Sequence, residues 1–305
     1  MFRLPPPVVR ALDGHFTLVH VPAQTLAMRD PDERAAVRCV VTNGDVGLRA
    51  DDMARLPSLE LILSYGSGYE GIDLRAAQAR GVVVTHAPGA NAATVADHAI
   101  GMLLALMRDY VGMHARVADG QWADARATRP TLSGARVGIV GLGSVGGHIA
   151  GRATAFGAEI AYCTPTPHEG VTWRHIDSVL ALAERSDVLV LACPGGPSTR
   201  HLVDSHVLEA LGPDGYLINV ARGSVVDTAA LIAALDGRRI AGAGLDVVDG
   251  EPDIPAGLIR HPGVIITPHV AGRSPEATRR LRDILLENLL AHEQGRALRY
   301  VVAPR

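Results

Sequence analysis

Residues 136–150 read Arg136-Val-Gly-Ile-Val-Gly-Leu-Gly-Ser-Val-Gly-Gly-His-Ile-Ala150, and no other stretch restricts the fold as much. Arg136–Val140 is apolar and β-branched in the manner of a buried strand. Gly141-Leu142-Gly143-Ser144-Val145-Gly146 follows without a spacer, and the pattern from Gly147 to Phe156 is helical. A glycine turn between strand and helix has mechanical content. Gly141 permits a tight turn, Gly143 lets backbone approach a pyrophosphate, and Gly146 lets the helix pack close on the strand. The helix N-terminus then offers unpaired N–H groups to phosphate oxygens. In a chain with 33 Gly a bare glycine pattern is weak. The strand before it and the helix after it point to a dinucleotide site; the alternative is a Gly-rich turn in some other α/β domain.

At 305 residues the chain has room for two domains. It is 48% hydrophobic and 20% charged, enough apolar content for ordinary cores. Net charge is −3 and the arginines are scattered, so neither nucleic acid nor a membrane is an expected partner. Cys39, Cys163 and Cys193 show no metal-ligand spacing and no even pairing; no metal is expected, and the compartment should be reducing. Met1-Phe-Arg-Leu-Pro-Pro-Pro7 lacks the apolar core of a signal peptide, and no run of 18 apolar residues occurs. A soluble, cytoplasmic protein is expected.

The N-terminal part alternates in character. Pro5–Leu12 is a predicted helix, and Phe16–Val21, Arg38–Thr42, Leu59–Leu63 and Val82–Thr85 are predicted strands. Helices such as Ala50–Leu56 and Leu74–Arg80 lie between them, which implies a parallel sheet. The loop from Ser64 to Asp73 follows a strand end, where open α/β sheets bind ligands; its bland reading is a flexible connection. Asn91-Ala-Ala-Thr94 is a potential helix start, and Val95–Val117 keeps a helical pattern. Some twenty residues of helix would span about 30 Å, enough to bridge two domains.

A second series begins at Arg136. Its predicted strands are Arg136–Val140, Glu159–Cys163, Asp187–Ala192, Tyr216–Asn219, Ile240–Leu245 and Val264–Thr267. Six strands with helices between match a doubly wound domain. A helix over Pro275–His292 then returns the chain to the first domain. The fold class is therefore α/β: two Rossmann-like or flavodoxin-like domains with parallel sheets, the doubly wound cofactor domain inserted into the substrate domain. Expected boundaries are 1–97 with 286–305 for the substrate domain and 98–285 for the dinucleotide-binding domain.

Four further stretches line up with the glycine loop. They are Thr94-Val-Ala-Asp-His-Ala-Ile-Gly-Met-Leu-Leu-Ala105, Asn219-Val-Ala-Arg222-Gly-Ser-Val-Val-Asp227, Gly244-Leu-Asp246-Val-Val-Asp-Gly-Glu251-Pro252 and Thr267-Pro-His269-Val270. With these motifs in order, the chain resembles the D-isomer-specific 2-hydroxyacid dehydrogenases from about Leu4 to its end. Within that family it is most similar to the glyoxylate/hydroxypyruvate and hydroxyphenylpyruvate reductases. Three departures stand out. The family opens with a strand before the first helix, and Met1–Leu4 is too short to supply it. Asp97 stands where the family has Glu. At the end of the second cofactor strand, Cys163-Thr164-Pro165 carries neither the ribose-binding acid of NAD enzymes nor the Arg of NADP enzymes.

The resemblance implies NAD(P)H-dependent reduction of a small 2-keto acid, such as glyoxylate or hydroxypyruvate, to the D-2-hydroxy acid. Such chemistry needs a cation for the carboxylate, a proton for the carbonyl oxygen and a hydride. Arg222, after an apolar strand, is the expected two-pronged carboxylate ligand. His269 is the expected acid, and Glu251 the partner of its other ring nitrogen. The family also implies cofactor contacts at Thr94, Gly141–Gly146, Cys163, Thr164, Pro165, Cys193, Pro194, Thr199, Val220, Ala221, Arg222, Asp246, His269, Ala271 and Gly272. Substrate contacts are implied at Ser67, Gly68, Arg222 and His269, with Ser67 and Gly68 acting through backbone N–H groups.

Each assignment has a plainer rival. Arg222 would otherwise be a surface ion pair, Glu251 a turn acid and Asp246 a capping or loop aspartate. Cys193 lacks an activating partner, so it is not expected to be a nucleophile. Trp122 resembles a family aromatic that in some members reaches a neighbouring subunit's site; a core or interface role is the other reading. NADP is the expected cofactor over NAD, because no carboxylate marks the ribose. A homodimer through the dinucleotide-binding domain is expected. The rival readings are an NAD-dependent D-2-hydroxyacid dehydrogenase of other substrate, less so a phosphoglycerate dehydrogenase since no regulatory domain follows Arg305, and a dinucleotide-sensing binding protein without catalysis.

Overall fold

The computed structural model describes residues 3–303 apart from residue 22. In chain order the early elements are α1 (Pro6–Asp13), α2 (Pro31–Ala35), β1 (Cys39–Thr42), α3 (Ala50–Ala54), β2 (Leu61–Ser64), α4 (Leu74–Ala79) and β3 (Val83–Thr85). Then come α5 (Ala92–Met107), α6 (Tyr110–Ala118), α7 (Trp122–Ala125), β4 (Arg136–Val140), α8 (Ser144–Ala155), β5 (Glu159–Cys163) and β6 (Arg174–His175). The remainder is α9 (Val179–Ala183), β7 (Val188–Leu191), α10 (Ser205–Leu211), β8 (Tyr216–Asn219), α11 (Thr228–Asp236), β9 (Gly242–Leu245), α12 (Ala256–Ile259), β10 (Val264–Ile266) and α13 (Pro275–Glu293).

The chain divides into two compact units, one of residues 1–91 with 273–305 and one of residues 92–272. The divisions fall at the starts of α5 and α13. The expected boundaries 97/98 and 285/286 lie inside those helices, which pack as whole rods and so belong whole to one unit each.

In the first unit β1, β2 and β3 form a parallel sheet in that order, in register Cys39↔Leu61 and Leu61↔Val83. Residues near the C-terminus close its β3 side: Thr85 bridges antiparallel to Val301, and the Val302 N–H donates to the Val84 carbonyl at 2.8 Å. On one face Val8 and Leu12 of α1 and Leu285 and Leu289 of α13 pack on Leu61 and Leu63. On the other, Met53, Leu56, Ile62 and Val84 form a second cluster. The Ser274 hydroxyl accepts from the Ala277 N–H at 3.0 Å and Pro275 opens α13, a standard start.

Two elements differ from expectation here. Phe16–Val21 forms no strand, and Leu18 and Val19 are exposed. A strand needs a neighbouring ladder to satisfy its backbone, and among the described residues none runs beside this segment. The helix expected over Val95–Val117 is two helices, α5 and α6. Asp109 between them has φ 51°, a left-handed conformation that ends the helix. Its Oδ2 accepts from Arg116 Nη1 at 2.9 Å and Arg129 Nη2 at 3.0 Å, which holds the break in place.

The second unit is a seven-stranded parallel sheet of order β10-β9-β8-β7-β4-β5-β6. Its central strands β7 and β8 read Val-Leu-Val-Leu and Tyr-Leu-Ile-Asn and are buried almost throughout. That is the pattern of a parallel strand covered by helices on both faces. One layer beside the sheet holds α9, α10 and α11 residues such as Leu182, Leu208 and Leu231. The other holds Leu103 and Met107 of α5 and Ile149 and Ala153 of α8. Strand order reverses between β4 and β7, which sets a crevice at their carboxyl ends. The two-residue β6 was not anticipated; it is too short to show a period.

Candidate active site

The chain leaves β4 through Gly141, whose φ of 92° is a backbone conformation that glycine adopts without strain. Its N–H donates to the carbonyl of Cys163 at the end of β5, 2.9 Å away. A Cβ built on Gly141 would lie 2.7 Å from Cα of Cys193, in the loop after β7. The loops after β4, β5 and β7 therefore converge at the switch point. A Cβ on Gly146 would lie 2.0 Å from the Gly141 carbonyl oxygen, so α8 packs on the turn at a distance no side chain tolerates. A Cβ on Gly143 would meet nothing within 4 Å. Gly143 is the N-cap of α8 and supplies no side-chain cap, leaving first-turn N–H groups to a ligand. Tight at Gly141 and Gly146, open at Gly143 and uncapped at Ser144 and Val145, this cradle fits a dinucleotide pyrophosphate.

Beyond it, Cys163-Thr164-Pro165 is held from two sides. His175 Nε2 lies 2.9 Å from the Thr164 carbonyl, and the His168 N–H donates to the Tyr162 hydroxyl at 2.9 Å. Thr164 Oγ1 donates to the Thr166 carbonyl at 2.7 Å, so its proton is committed within the loop. Burial raises the Cys163 thiol pKa, and the charge of Asp177 adds to it. On the β7 side, Thr199 Oγ1 donates to the Pro194 carbonyl at 2.8 Å and closes that loop. Burial pushes Cys193 up to about 11, so it is a thiol at neutral pH.

Arg222, Glu251 and His269 follow β8, β9 and β10. Asn219 shapes the first turn: its Oδ1 accepts from the Ala221 N–H and its Nδ2 donates to the Arg222 carbonyl, both at 3.0 Å. Val220 and Ala221 span that turn, and Arg222 Nη1 donates to the Ala221 carbonyl at 2.7 Å. A Cβ on Gly223 would lie 2.1 Å from the Val248 carbonyl carbon, so the Arg222 turn lies directly on the loop that leads to Glu251. Glu251 Oε1 lies 2.5 Å from His269 Nδ1, and Oε2 accepts from the Val248 N–H at 3.0 Å. Burial works to raise the Glu251 pKa. The hydrogen bonds from His269 and Val248 and the positive charges of His269 and Arg222 outweigh it, and the carboxyl is held below its usual range.

His269 has φ 52°, unusual for a side-chain-bearing residue. Its N–H donates to the Asp246 and Thr267 carbonyls, both at 2.9 Å. Asp246 is 3% exposed and both its oxygens serve the same turn. Oδ1 accepts from Thr267 Oγ1 at 2.6 Å and the Val270 N–H at 2.9 Å, and Oδ2 from the Ala271 N–H at 2.9 Å. Gly272 ends this unit. His98 of α5 places Nε2 at 2.9 Å from Thr267 Oγ1.

Thr94 lies in the first turn of α5. Asp97, one turn on, accepts from Arg152 Nε at 2.7 Å, and Arg152 also donates to the Ala93 and His148 carbonyls, tying α5 to α8. Ser67 and Gly68 belong to the first unit. The Ser67 carbonyl pairs with His86 Nδ1 at 2.9 Å, and the Gly68 carbonyl accepts from Ser64 Oγ at 2.5 Å. Among the described residues neither the Ser67 nor the Gly68 N–H donates to a backbone carbonyl. Tyr162, His175, Asn219 and Thr267 escape a sequence reading as working residues. Asn219 and Thr267 stand inside motifs, but only the folded turns show what their side chains hold.

The chain is similar throughout to proteins of known kind. Residues 100–271 match the NAD-binding domain of the D-isomer-specific 2-hydroxyacid dehydrogenases. A glyoxylate/hydroxypyruvate reductase of Arabidopsis thaliana is 40% identical over 266 residues, 87% of this chain and 85% of that one. A hydroxyphenylpyruvate reductase of Plectranthus scutellarioides is 39% identical, over 86% of this chain and 84% of that one. The crystal structure of an NADPH-dependent glyoxylate/hydroxypyruvate reductase from Sinorhizobium meliloti, in complex with NADP and malonate, superposes with a TM-score of 0.92. That comparison covers 99% of this chain and 94% of that one at 39% identity. With the glycine cradle, the Asn219–Asp227 turn and the Glu251–His269 pair all in place, the chain belongs to the D-isomer-specific 2-hydroxyacid dehydrogenases, in the branch of the glyoxylate/hydroxypyruvate and hydroxyphenylpyruvate reductases.

Proposed function

We propose that the protein reduces a small 2-keto acid of the glyoxylate or hydroxypyruvate type to its D-2-hydroxy acid, with His269 as the proton donor. The observation that carries the reading is the Glu251–His269 pair beside Arg222 at adjacent strand ends. Bound NAD(P)H supplies the hydride. The residues that would hold it are Gly141–Gly146 at the pyrophosphate, Cys163–Pro165 at the ribose, Cys193, Pro194 and Thr199 beside the adenosine, and Thr94, Val220, Ala221, Ala271 and Gly272 towards the nicotinamide. Residues 92–272 are then the dinucleotide-binding domain, and residues 1–91 with 273–305 the substrate domain.

Arg222 grips the keto-acid carboxylate with its planar fork. With His269 Nδ1 committed to Glu251, Nε2 carries the proton given to the carbonyl oxygen. The Glu251 carboxylate, already held in its charged form, favours the protonated ring. Ser67 and Gly68 carry over from the family resemblance as substrate contacts through their backbone N–H groups, which donate to no backbone carbonyl among the described residues. Asp246 holds the His269 turn with both oxygens, which supports the loop-holding role over direct contact with the nicotinamide.

NADP is the expected preference over NAD. Positions 163–168 hold neither Asp nor Glu, so nothing on that strand end repels a 2′-phosphate. No arginine stands there either, and the Thr164 proton is committed, so the preference should be modest. The relatives differ in substrate at nearly equal identity, glyoxylate/hydroxypyruvate for one and hydroxyphenylpyruvate for the other. The deciding experiment is a panel of 2-keto acids assayed with NADH and NADPH in parallel. Turnover of glyoxylate and hydroxypyruvate, faster with NADPH, is the expected result; no turnover of any 2-keto acid would overturn the reading.

Assembly is read as a homodimer through the second unit. There α6 and α7 expose Tyr110, Val111, Val117 and Trp122, an apolar face of the kind that partners cover. The three cysteines are free thiols, in keeping with a cytoplasmic location.

A further inference from the structure

We propose that His98 is a positioning residue for His269, acting through Thr267 and Asp246; the inference rests on the reading of His269 as the proton donor. The Thr267 hydroxyl has one hydrogen, and it lies 2.6 Å from an Asp246 oxygen that can only accept it. At 2.9 Å from the same hydroxyl oxygen, His98 Nε2 must therefore be the donor. A directed chain results: His98 Nε2–H to Thr267 Oγ1, and Thr267 O–H to Asp246 Oδ1. His98 Nε2 is also 3.7 Å from that Asp246 oxygen.

The same Asp246 carboxylate accepts the Val270 and Ala271 N–H groups, and its backbone carbonyl accepts that of His269. The hydrogen bonds that Asp246 accepts thus all come from residues 267–271, in whose middle His269 sits with a left-handed backbone, while its own N–H donates to the Asn219 carbonyl at 3.0 Å and ties the turn to β8. Such a conformation persists only where its surroundings over-determine it. Within this network only His98 stands on a helix, and α5 packs along β8, β9 and β10, the strands whose ends carry the three reactive side chains. His98 fixes Thr267, Thr267 and Asp246 fix the turn, and the turn aims the ring that Glu251 holds from the far side.

The test uses full-length His98→Leu, His98→Gln and Thr267→Val, each in wild-type and His269→Gln backgrounds, with glyoxylate and NADPH. His98→Leu should lower kcat by roughly three- to tenfold while KM for glyoxylate stays within about twofold. His98→Gln keeps an N–H near Nε2 and should recover most of the loss. Thr267→Val should match His98→Leu, and the pair combined should cost no more than either alone. In the His269→Gln background His98→Leu should add nothing. In cofactor-free protein, amide exchange of Val270 and Ala271 should quicken about tenfold with His98→Leu, with β8 and β9 unchanged. Wild-type kcat in His98→Leu, an equal loss in both backgrounds, or unaltered exchange would overturn the inference. Full turnover by His269→Gln itself would instead sink the proton-donor reading, and the exchange result would still decide whether His98 anchors the turn.

Discussion

His269 gains its role from contacts that reach its turn from the neighbouring strand end. Its Nδ1 is 2.5 Å from Glu251, and its backbone is pinned by Asp246. His269→Gln should lower kcat by roughly 10²–10⁴, the scale of general acid–base catalysis, with dinucleotide affinity unchanged by fluorescence titration. Glu251 is a carboxylate through neutral pH because its pKa is lowered, so it favours the ring proton there and loses that effect only as pH falls through its own titration. Glu251→Gln should move the alkaline limb of the kcat/KM profile about one pH unit towards acid. An unmoved limb would show that Glu251 only orients the ring. Arg222→Lys keeps the charge and loses the fork, so KM for the keto acid should rise by about tenfold or more with a smaller fall in kcat. Cys163→Asp introduces a carboxylate facing the ribose and should shift the ratio of kcat/KM towards NADH. A ratio left unchanged would show that this strand end does not set the preference.

At the scale of elements, the β4–α8 turn separates two functions of glycine. Gly146→Ala places a methyl 2.0 Å from a backbone oxygen, and relief requires α8 to move off β4. A stability loss of about 1–3 kcal/mol, seen as a lower Tm, should accompany weaker dinucleotide binding. Gly143→Ala meets no protein atom within 4 Å, so Tm should hold while dinucleotide affinity falls, because the methyl occupies space meant for phosphate. The β4–β7 pair carries another test. Arg136 Nη2 and Nε and its backbone N–H all reach Asp187, and the side-chain bond to Arg136, ahead of opposing burial, lowers the Asp187 pKa. A depressed carboxylate stabilises above its unfolded pKa and loses that contribution as pH falls through the folded value. Asp187 is 40% exposed, so solvent screening limits the effect to about 0.5–1 kcal/mol. Asp187→Asn should therefore lower Tm slightly at neutral pH and converge with wild type below about pH 4.

For the whole molecule, the exposed face of α6 and α7 is the place to test assembly. Light scattering on the purified protein should give twice the mass of one chain. Trp122→Asp, together with Val111→Asp, should return it to a monomer with its fold intact by circular dichroism. A wild-type monomer at micromolar concentration would remove the dimer reading. The break at Asp109 bears on this face, since its left-handed backbone separates α6 from α5. A continuous helix over Val95–Val117 would present those side chains elsewhere.

How much of this was legible in the chain depends on the range of the interaction. Local periodicity and glycine spacing identified β4, the turn at Gly141 and α8, because strand, turn and helix there are determined by neighbours in sequence. The motifs around Arg222, Glu251 and His269 announced their strand ends for the same reason. Phe16–Val21 has the composition of a strand and is none, because pairing depends on a partner that composition does not reveal. Asp109 interrupts an otherwise helical pattern through arginines 7 and 20 residues away. Thr164 carries a hydroxyl at the expected ribose site, and only the fold shows that its proton goes to the Thr166 carbonyl. Asp246 is expected from its motif as a cofactor contact, and only the fold shows that its oxygens also meet residues 21 to 25 positions on. His98 and Thr267, separated by 169 residues, are joined only by the fold. Sequence by itself determined where strands end and which side chains those ends carry, since backbone preference acts between neighbours. Tertiary structure alone decided which donors meet which acceptors, because a hydrogen bond forms wherever packing brings two groups together, whatever the length of chain between them.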